Sequence, residues 1–174
     1  MSGVRAVFFD RDGTLMEEVN YCKDPNLVHV FPGVPSALRK LRDAGFRTIV
    51  ITNQSGIGRG LMTEADYAAV QREFLRQLGP DLVDASYYCA DAPWVASTRR
   101  KPAPGMVFEA ARDYGIDLSR SFFVGDKRID IECGAQAGTQ TVLVLTGYGQ
   151  EQRGPSDFTA EDAVAAVDWI VSQS

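Results

Sequence analysis

Two aspartates two residues apart, Asp10 and Asp12, close the apolar stretch "VFFDRDGTL" at 7-15. Carboxylates that close repel one another, so a positive partner is expected beside them. Three further polar clusters follow apolar runs later in the chain: Thr52 with Asn53, Arg100 with Lys101, and Asp126 with Lys127. A divalent cation held by Asp10 and Asp126 would cancel the repulsion between a carboxylate nucleophile and a phosphate dianion. Magnesium favours such oxygen ligands. Asp10 would then attack phosphorus to form an aspartyl-phosphate, while Asp12 protonates the leaving alkoxide and later deprotonates the attacking water. The Thr52 hydroxyl, the Asn53 backbone N–H and the Lys101 ammonium would meet the charge on the phosphoryl oxygens. An isolated Asp-x-Asp is ordinary turn chemistry; four clusters in order on successive strand ends point to a site.

These clusters need a scaffold that brings strand ends together. Runs of strand length ("VRAVFF", "FRTIVIT", "LVDASYYC", "SFFVG", "TVLVLT") alternate with stretches of helical period, from "VPSALRKLRDAG" to "AEDAVAAVDWIVSQ". Five strands separated by helices predict an α/β fold: a doubly wound, mainly parallel sheet with helices on both faces. Ligands of such sheets bind outside the carboxyl ends of the strands, where all four clusters fall. Thr63 with Asp66 reads as a capping box, Pro104 as a helix start, and Gly45, Gly79 and Gly115 as helix stops. The least regular stretches are 16-33, 90-104 and 147-158.

The 174 residues suit one domain, 1-174, with 45% apolar and 24% charged residues. A net charge of −5 gives no general attraction for nucleic acid or anionic membrane. No apolar run approaches a bilayer span and the amino terminus lacks a signal-peptide pattern, so a cytoplasmic protein is expected. Cys22, Cys89 and Cys133 are widely spaced, which suits buried reduced thiols. His29 reads as a partly buried loop residue rather than a catalytic one.

The motifs "DRDGT" at 10-14, "TNQSG" at 52-56, "RKP" at 100-102 and "VGDKRID" at 124-130 together resemble the haloacid dehalogenase superfamily of phosphatases. The resemblance implies a Rossmann-like core with Asp10 as nucleophile, Asp12 as acid/base, Thr52 and Lys101 at the phosphate, and Mg2+ held by Asp10, Asp126 and the Asp12 carbonyl. Arg11, "TNQSGIGRG" and "RKPAPGM" look like the subgroup of histidinol and heptose-bisphosphate phosphatases, with "SGIGRG" nearer the heptose enzymes. That subgroup has no separate cap domain. It implies D-glycero-D-manno-heptose 1,7-bisphosphate, losing its 7-phosphate, as substrate. Its second phosphate or hydroxyls would be held by Glu18, Val19, Asn20, Tyr21, Asn53, Gln54, Arg59, Arg100 and Lys127. No nucleic-acid or membrane partner is implied, and a monomer or weak dimer is expected.

The subgroup often carries a zinc loop before Arg-Lys-Pro. Here Cys89 remains, but Asp91, Ser97 and Arg99 stand at the other ligand positions. Structural zinc normally takes four N/S ligands, so no zinc is expected, and packing of Pro93 and Trp94 would have to hold "DAPWVASTR" instead. Asp130 is read as orienting the metal ligands. The alternatives within enzymes are a histidinol-phosphate phosphatase, another small sugar-phosphate phosphatase and a polynucleotide 3′-phosphatase. Acidity and the lack of a basic stripe weigh against the last. A phosphoaspartate receiver would lack an acid/base such as Asp12, and a silent binding protein would be expected to have lost one of Asp10, Asp12, Lys101 or Asp126.

Overall fold

Each of the five apolar runs forms a strand in the computed structural model, which describes residues 3–174. They are β1 (Arg5–Phe9), β2 (Phe46–Asn53), β3 (Ala85–Cys89), β4 (Phe122–Gly125) and β5 (Gln140–Val144). The expectation of five strands is short by one. The irregular stretch 147-158 leads into β6 (Phe158–Ala160), which pairs with β5. Three residues, "FTA", are too few to show a strand period. The Asp157 carboxylate, accepting from the Thr141 N–H at 2.8 Å, anchors the strand at its start.

All pairings are parallel, in the order β3-β2-β1-β4-β5-β6. The helices are α1 (Val34–Asp43), the single turn α2 (Ser55–Gly58), α3 (Glu64–Leu78), α4 (Gly105–Tyr114), α5 (Arg128–Ala137) and α6 (Ala163–Ser172). The capping box at Thr63 and Asp66 is formed from both sides, at 2.8 and 3.1 Å.

Strand periodicity explains the two layers. Along β1, Val7 and Phe9 point into one core with Leu38 and Leu41 of α1, Val70 and Phe74 of α3, and Val167 and Ile170 of α6. Ala6 and Phe8 point into the other, with Met106 and Ala110 of α4 and Cys133 and Ala137 of α5. Both phenylalanines are fully buried, each contributing about 1.5–3 kcal/mol relative to exposure. Because β1 is covered on both faces, the polar residues that follow it are themselves largely buried, Asp10, Arg11 and Thr14 among them.

The strand order reverses between β1 and β4, so the connections after them diverge to opposite sides and leave a crevice at their carboxyl ends. Asp10 follows β1 and Asp126 follows β4. Among the described residues no helix is long and apolar enough to cross a membrane. Cys22, Cys89 and Cys133 are buried and free. His29 is exposed rather than partly buried, since only its backbone carbonyl is used, accepting from the Glu17 N–H at 2.9 Å.

Candidate active site

The crevice opens into a cleft of about 260 Å³ lined by Asp10, Asp12, Glu18, Val19, Asn20, Tyr21, Asn53, Gln54, Arg59, Arg100, Lys101 and Lys127, together with Asp130 and Tyr148. At its floor the Lys101 ammonium lies 2.9 Å from Asp10 Oδ1 and 2.7 Å from Asp130 Oδ1, and also donates to the Ile51 carbonyl at 2.8 Å. The Asp130 contact is a charge pairing rather than an aligned hydrogen bond, leaving Oδ1 without a directed donor. Burial alone would lower the Lys101 pKa, but Asp10 and Asp130 outweigh it and keep the ammonium charged. Burial likewise works to raise the Asp10 pKa. Lys101 and Lys127 override it and hold the carboxylate below its usual range, as a nucleophile needs.

Asp10, Asp126 and Asp130 each offer an oxygen within 4.8 Å of the others'. Lys101 compensates two of these charges, and Asp126 carries the surplus. Burial, then Asp10 and Asp130, push its pKa up to about 9. The three carboxylates form an all-oxygen donor set, which fits a hard divalent cation. Asp126 is held by the Tyr148 N–H at 2.9 Å and the Thr14 hydroxyl at 3.3 Å. Gly13, at φ 84°, lets the first loop pass so close that a Cβ there would stand 2.4 Å from Asp126 Oδ2.

Asp12 sits at the cleft wall. Its carboxylate accepts from Arg11 Nε at 3.1 Å and Nη2 at 3.3 Å, and from Gln54 Nε2 at 3.0 Å. Arg11 is fully buried, reaching Gln71 Oε1 at 3.1 Å and lying over the Tyr67 ring. The carboxylate therefore has a fixed position beside Asp10, as a general acid/base requires.

Two of the expected site residues also make contacts within the protein. The Asn53 side chain, while lining the cleft, binds the Lys101 backbone in both directions, at 3.0 and 3.1 Å, and so fixes Lys101. Thr52 is buried beneath the floor, where its hydroxyl oxygen accepts from Gln54 Nε2 at 2.9 Å and keeps its own proton to donate.

Comparison with known proteins bears on this arrangement. Residues 98–168 match the HAD-hydrolase-like family model. The chain is 38% identical to D-glycero-D-manno-heptose-1,7-bisphosphate 7-phosphatase of Thermosynechococcus vestitus, over 95% of the chain and 94% of that protein. It is 39% identical to the D-glycero-beta-D-manno-heptose-1,7-bisphosphate 7-phosphatase of Escherichia coli O6:H1, over 97% of the chain and 90% of that protein. The chain belongs to the heptose-1,7-bisphosphate 7-phosphatase family of HAD-like hydrolases. The crystal structure of D,D-heptose 1,7-bisphosphate phosphatase from B. bronchiseptica, complexed with magnesium and phosphate, superposes with a TM-score of 0.90 at 31% identity. It covers 98% of this chain and 100% of that one.

In this member of the heptose-bisphosphate phosphatase family, the zinc-loop positions are turned to other partners. Cys89 Sγ lies 3.4 Å from Asp91 Oδ2 and 3.7 Å from Ser97 Oγ. Arg99, which has no lone pair to give a metal, grips Glu109 at 2.7 and 3.2 Å. This donor set does not suit a structural zinc. Trp94 is not the packing anchor expected of it, being 70% exposed; the hydrogen bonds of Cys89, Ser97 and Arg99 hold the loop, and Trp94 lies over the Arg59 guanidinium.

In the sequence Arg11 is only a subgroup marker, and Tyr148 lies in an irregular stretch with no signal of its own. The "DRDGT" stretch contained both Arg11 and Thr14, but nothing in a linear reading says that the arginine turns inward. Asp130 carries more than its expected orienting role: besides pairing with Lys101, it accepts the Lys127 N–H at 3.1 Å at the start of α5.

Proposed function

We propose that the chain is a magnesium-dependent phosphomonoester hydrolase that removes the 7-phosphate of D-glycero-D-manno-heptose 1,7-bisphosphate. The observation that carries the reading is the presence in one cleft of a buried, Lys101-compensated Asp10 and an Arg11-held Asp12. Asp10 attacks phosphorus and becomes the aspartyl-phosphate; Asp12 gives a proton to the leaving alkoxide and then takes one from the hydrolytic water. Asp10, Asp126 and the Asp12 carbonyl would hold Mg2+, which supplies charge neutralisation of the phosphoryl oxygens. Lys101 and the Thr52 hydroxyl add fixed donors, each worth about 2.7–4 kcal/mol by analogy with oxyanion donors. Arg59 and Arg100 add positive charge to the cleft from loops separate from those of Asp10 and Asp126, as a second phosphate requires, while Lys127 also acts on Asp10 itself.

The loops around the cleft serve in place of a cap, within a single domain spanning 1-174. The altered loop needs no zinc. A cytoplasmic monomer or weak dimer suits the acidic surface.

The test is phosphate release with magnesium from both anomers of heptose 1,7-bisphosphate, fructose 1,6-bisphosphate, histidinol phosphate and a 3′-phosphorylated oligonucleotide. A kcat/KM at least roughly 10² higher for one heptose anomer, about 2.7 kcal/mol, supports the reading. Preference for any other substrate overturns the heptose assignment. Metal analysis finding one zinc per chain would overturn the zinc-free loop.

A further inference from the structure

Arg59 and Arg100 reach the cleft from two separate loops, and neither is held by a carboxylate of its own. The Arg100 N–H donates to Ser97 Oγ at 3.1 Å, as does the Arg99 N–H at 3.2 Å, and Arg100 Nη1 reaches the Asp91 carbonyl at 3.3 Å. The neighbouring Arg99 points away from the cleft. It makes a two-pronged pair with Glu109 on α4 and donates to the Tyr88 carbonyl on β3 at 3.0 Å. Arg99 therefore pins the loop to a helix and a strand one residue before the arginine that lines the cleft.

The second loop is fastened to the first. Gly58 N–H donates to the Ala90 carbonyl at 2.9 Å. The backbones pass so closely that a Cβ at Gly58 would stand 2.5 Å from the Ala90 oxygen and 2.7 Å from the Ala92 nitrogen. Next to this seam, the Arg59 guanidinium lies between the rings of Trp94, at 5.3 Å, and Tyr21, at 5.8 Å. Moving the 90-104 loop would thus move both arginines.

We propose that Arg99, with Glu109, is a positioning residue that sets Arg100 and, through the Gly58–Ala90 seam, Arg59 against the distal anionic group of a doubly phosphorylated substrate. The inference rests on the sugar-bisphosphate reading above. It predicts that the pin acts on substrates with two phosphates and is silent toward those with one.

The experiment compares heptose 1,7-bisphosphate with p-nitrophenyl phosphate in wild type, Arg99→Met, Glu109→Gln, Arg99→Lys and Gly58→Ala. Arg99→Met should raise KM for the bisphosphate roughly tenfold, the scale of one charge-assisted hydrogen bond, with kcat nearly constant. Its kcat/KM on p-nitrophenyl phosphate should stay at the wild-type value. Glu109→Gln and Gly58→Ala should move KM in the same direction, and Arg99→Lys should recover part of it. In an Arg100→Ala background, Arg99→Met should add little further loss. Equal losses on both substrates, or full additivity with Arg100→Ala, overturn the positioning role. A wild-type enzyme with no preference for the bisphosphate overturns the substrate reading and this proposal with it; a preference left intact in both Arg99→Met and Glu109→Gln overturns the positioning role alone.

Discussion

Lys101 Nζ stands 2.9 Å from Asp10 Oδ1 while also pairing with Asp130, so one buried cation serves two buried carboxylates. Removing it leaves both uncompensated. Lys101→Met should destabilise the fold by about 3–5 kcal/mol, the usual penalty for breaking a buried pair, and lower kcat by roughly 10²–10³. Urea unfolding and phosphate-release kinetics on the same preparation check both. An unchanged denaturation midpoint would contradict the pairing.

The two aspartates of the first loop should separate by phenotype. Asp10→Asn should abolish turnover, because no nucleophile remains to take the phosphoryl group. Asp12→Asn should still bind phosphate and magnesium but lose roughly 10²–10⁴ in rate. Trapping with labelled substrate, followed by acid quench, tells them apart: no label in Asp10→Asn and a detectable label in Asp12→Asn. Sustained turnover by Asp10→Asn would refute the nucleophile assignment.

Arg11 is predicted to matter through Asp12 alone. Arg11→Met removes two charge-assisted hydrogen bonds to the carboxylate and should cost roughly 10- to 100-fold in kcat. Magnesium affinity, read by titration calorimetry, should not change. A parallel loss of magnesium affinity would show that Arg11 instead supports the floor of the cleft.

Glu18 predicts a pH signature. Burial raises its pKa from the ordinary 4.5 to about 7, with Lys127 only partly offsetting it. A carboxyl whose folded pKa exceeds its unfolded value favours folding while protonated. Its contribution is present below about pH 4.5 and is lost as pH rises to about 7. Glu18→Gln should therefore be relatively more stable than wild type at neutral pH than in acid, measured as the Tm difference across that range. A pH-independent difference would assign the effect to packing.

The legible part of the fold was what a period can show. Five strands stood out because each is an apolar run ended by turn or polar residues, and Asp10 and Asp126 were visible as acids breaking such runs. β6 escaped because its pairing with β5, and not its own pattern, makes "FTA" a strand. At the site, Asn53 lines the cleft, and its amide also bonds the Lys101 backbone, a contact no linear pattern shows. Residue type shows which bonds a side chain can form, but only tertiary placement decides which are taken. Arg11 is the clearest instance: in the sequence it is only a subgroup marker, and its inward turn is decided by α3, which brings Gln71 and Tyr67 around it.

Magnesium should stabilise the protein more as pH rises. In the metal-free chain the Asp126 pKa is pushed from 3.8 to about 9, so ionising it in the folded state costs stability through that interval. A bound cation replaces the proton. The gain in Tm on adding magnesium should grow between neutral and alkaline pH, and chelation should abolish turnover. A gain that shrinks with pH would argue against a metal at Asp126.

The clustered carboxylates hang from the ends of β1 and β4 at the middle of the sheet, whereas Arg59 and Arg100, with Lys101 next to it, ride on loops beside β3 at its edge. Changes at that edge leave the central strands and their layered packing intact. What the cleft accepts can therefore change residue by residue at that edge, provided Lys101, which shares the loop with Arg100, keeps its place between Asp10 and Asp130.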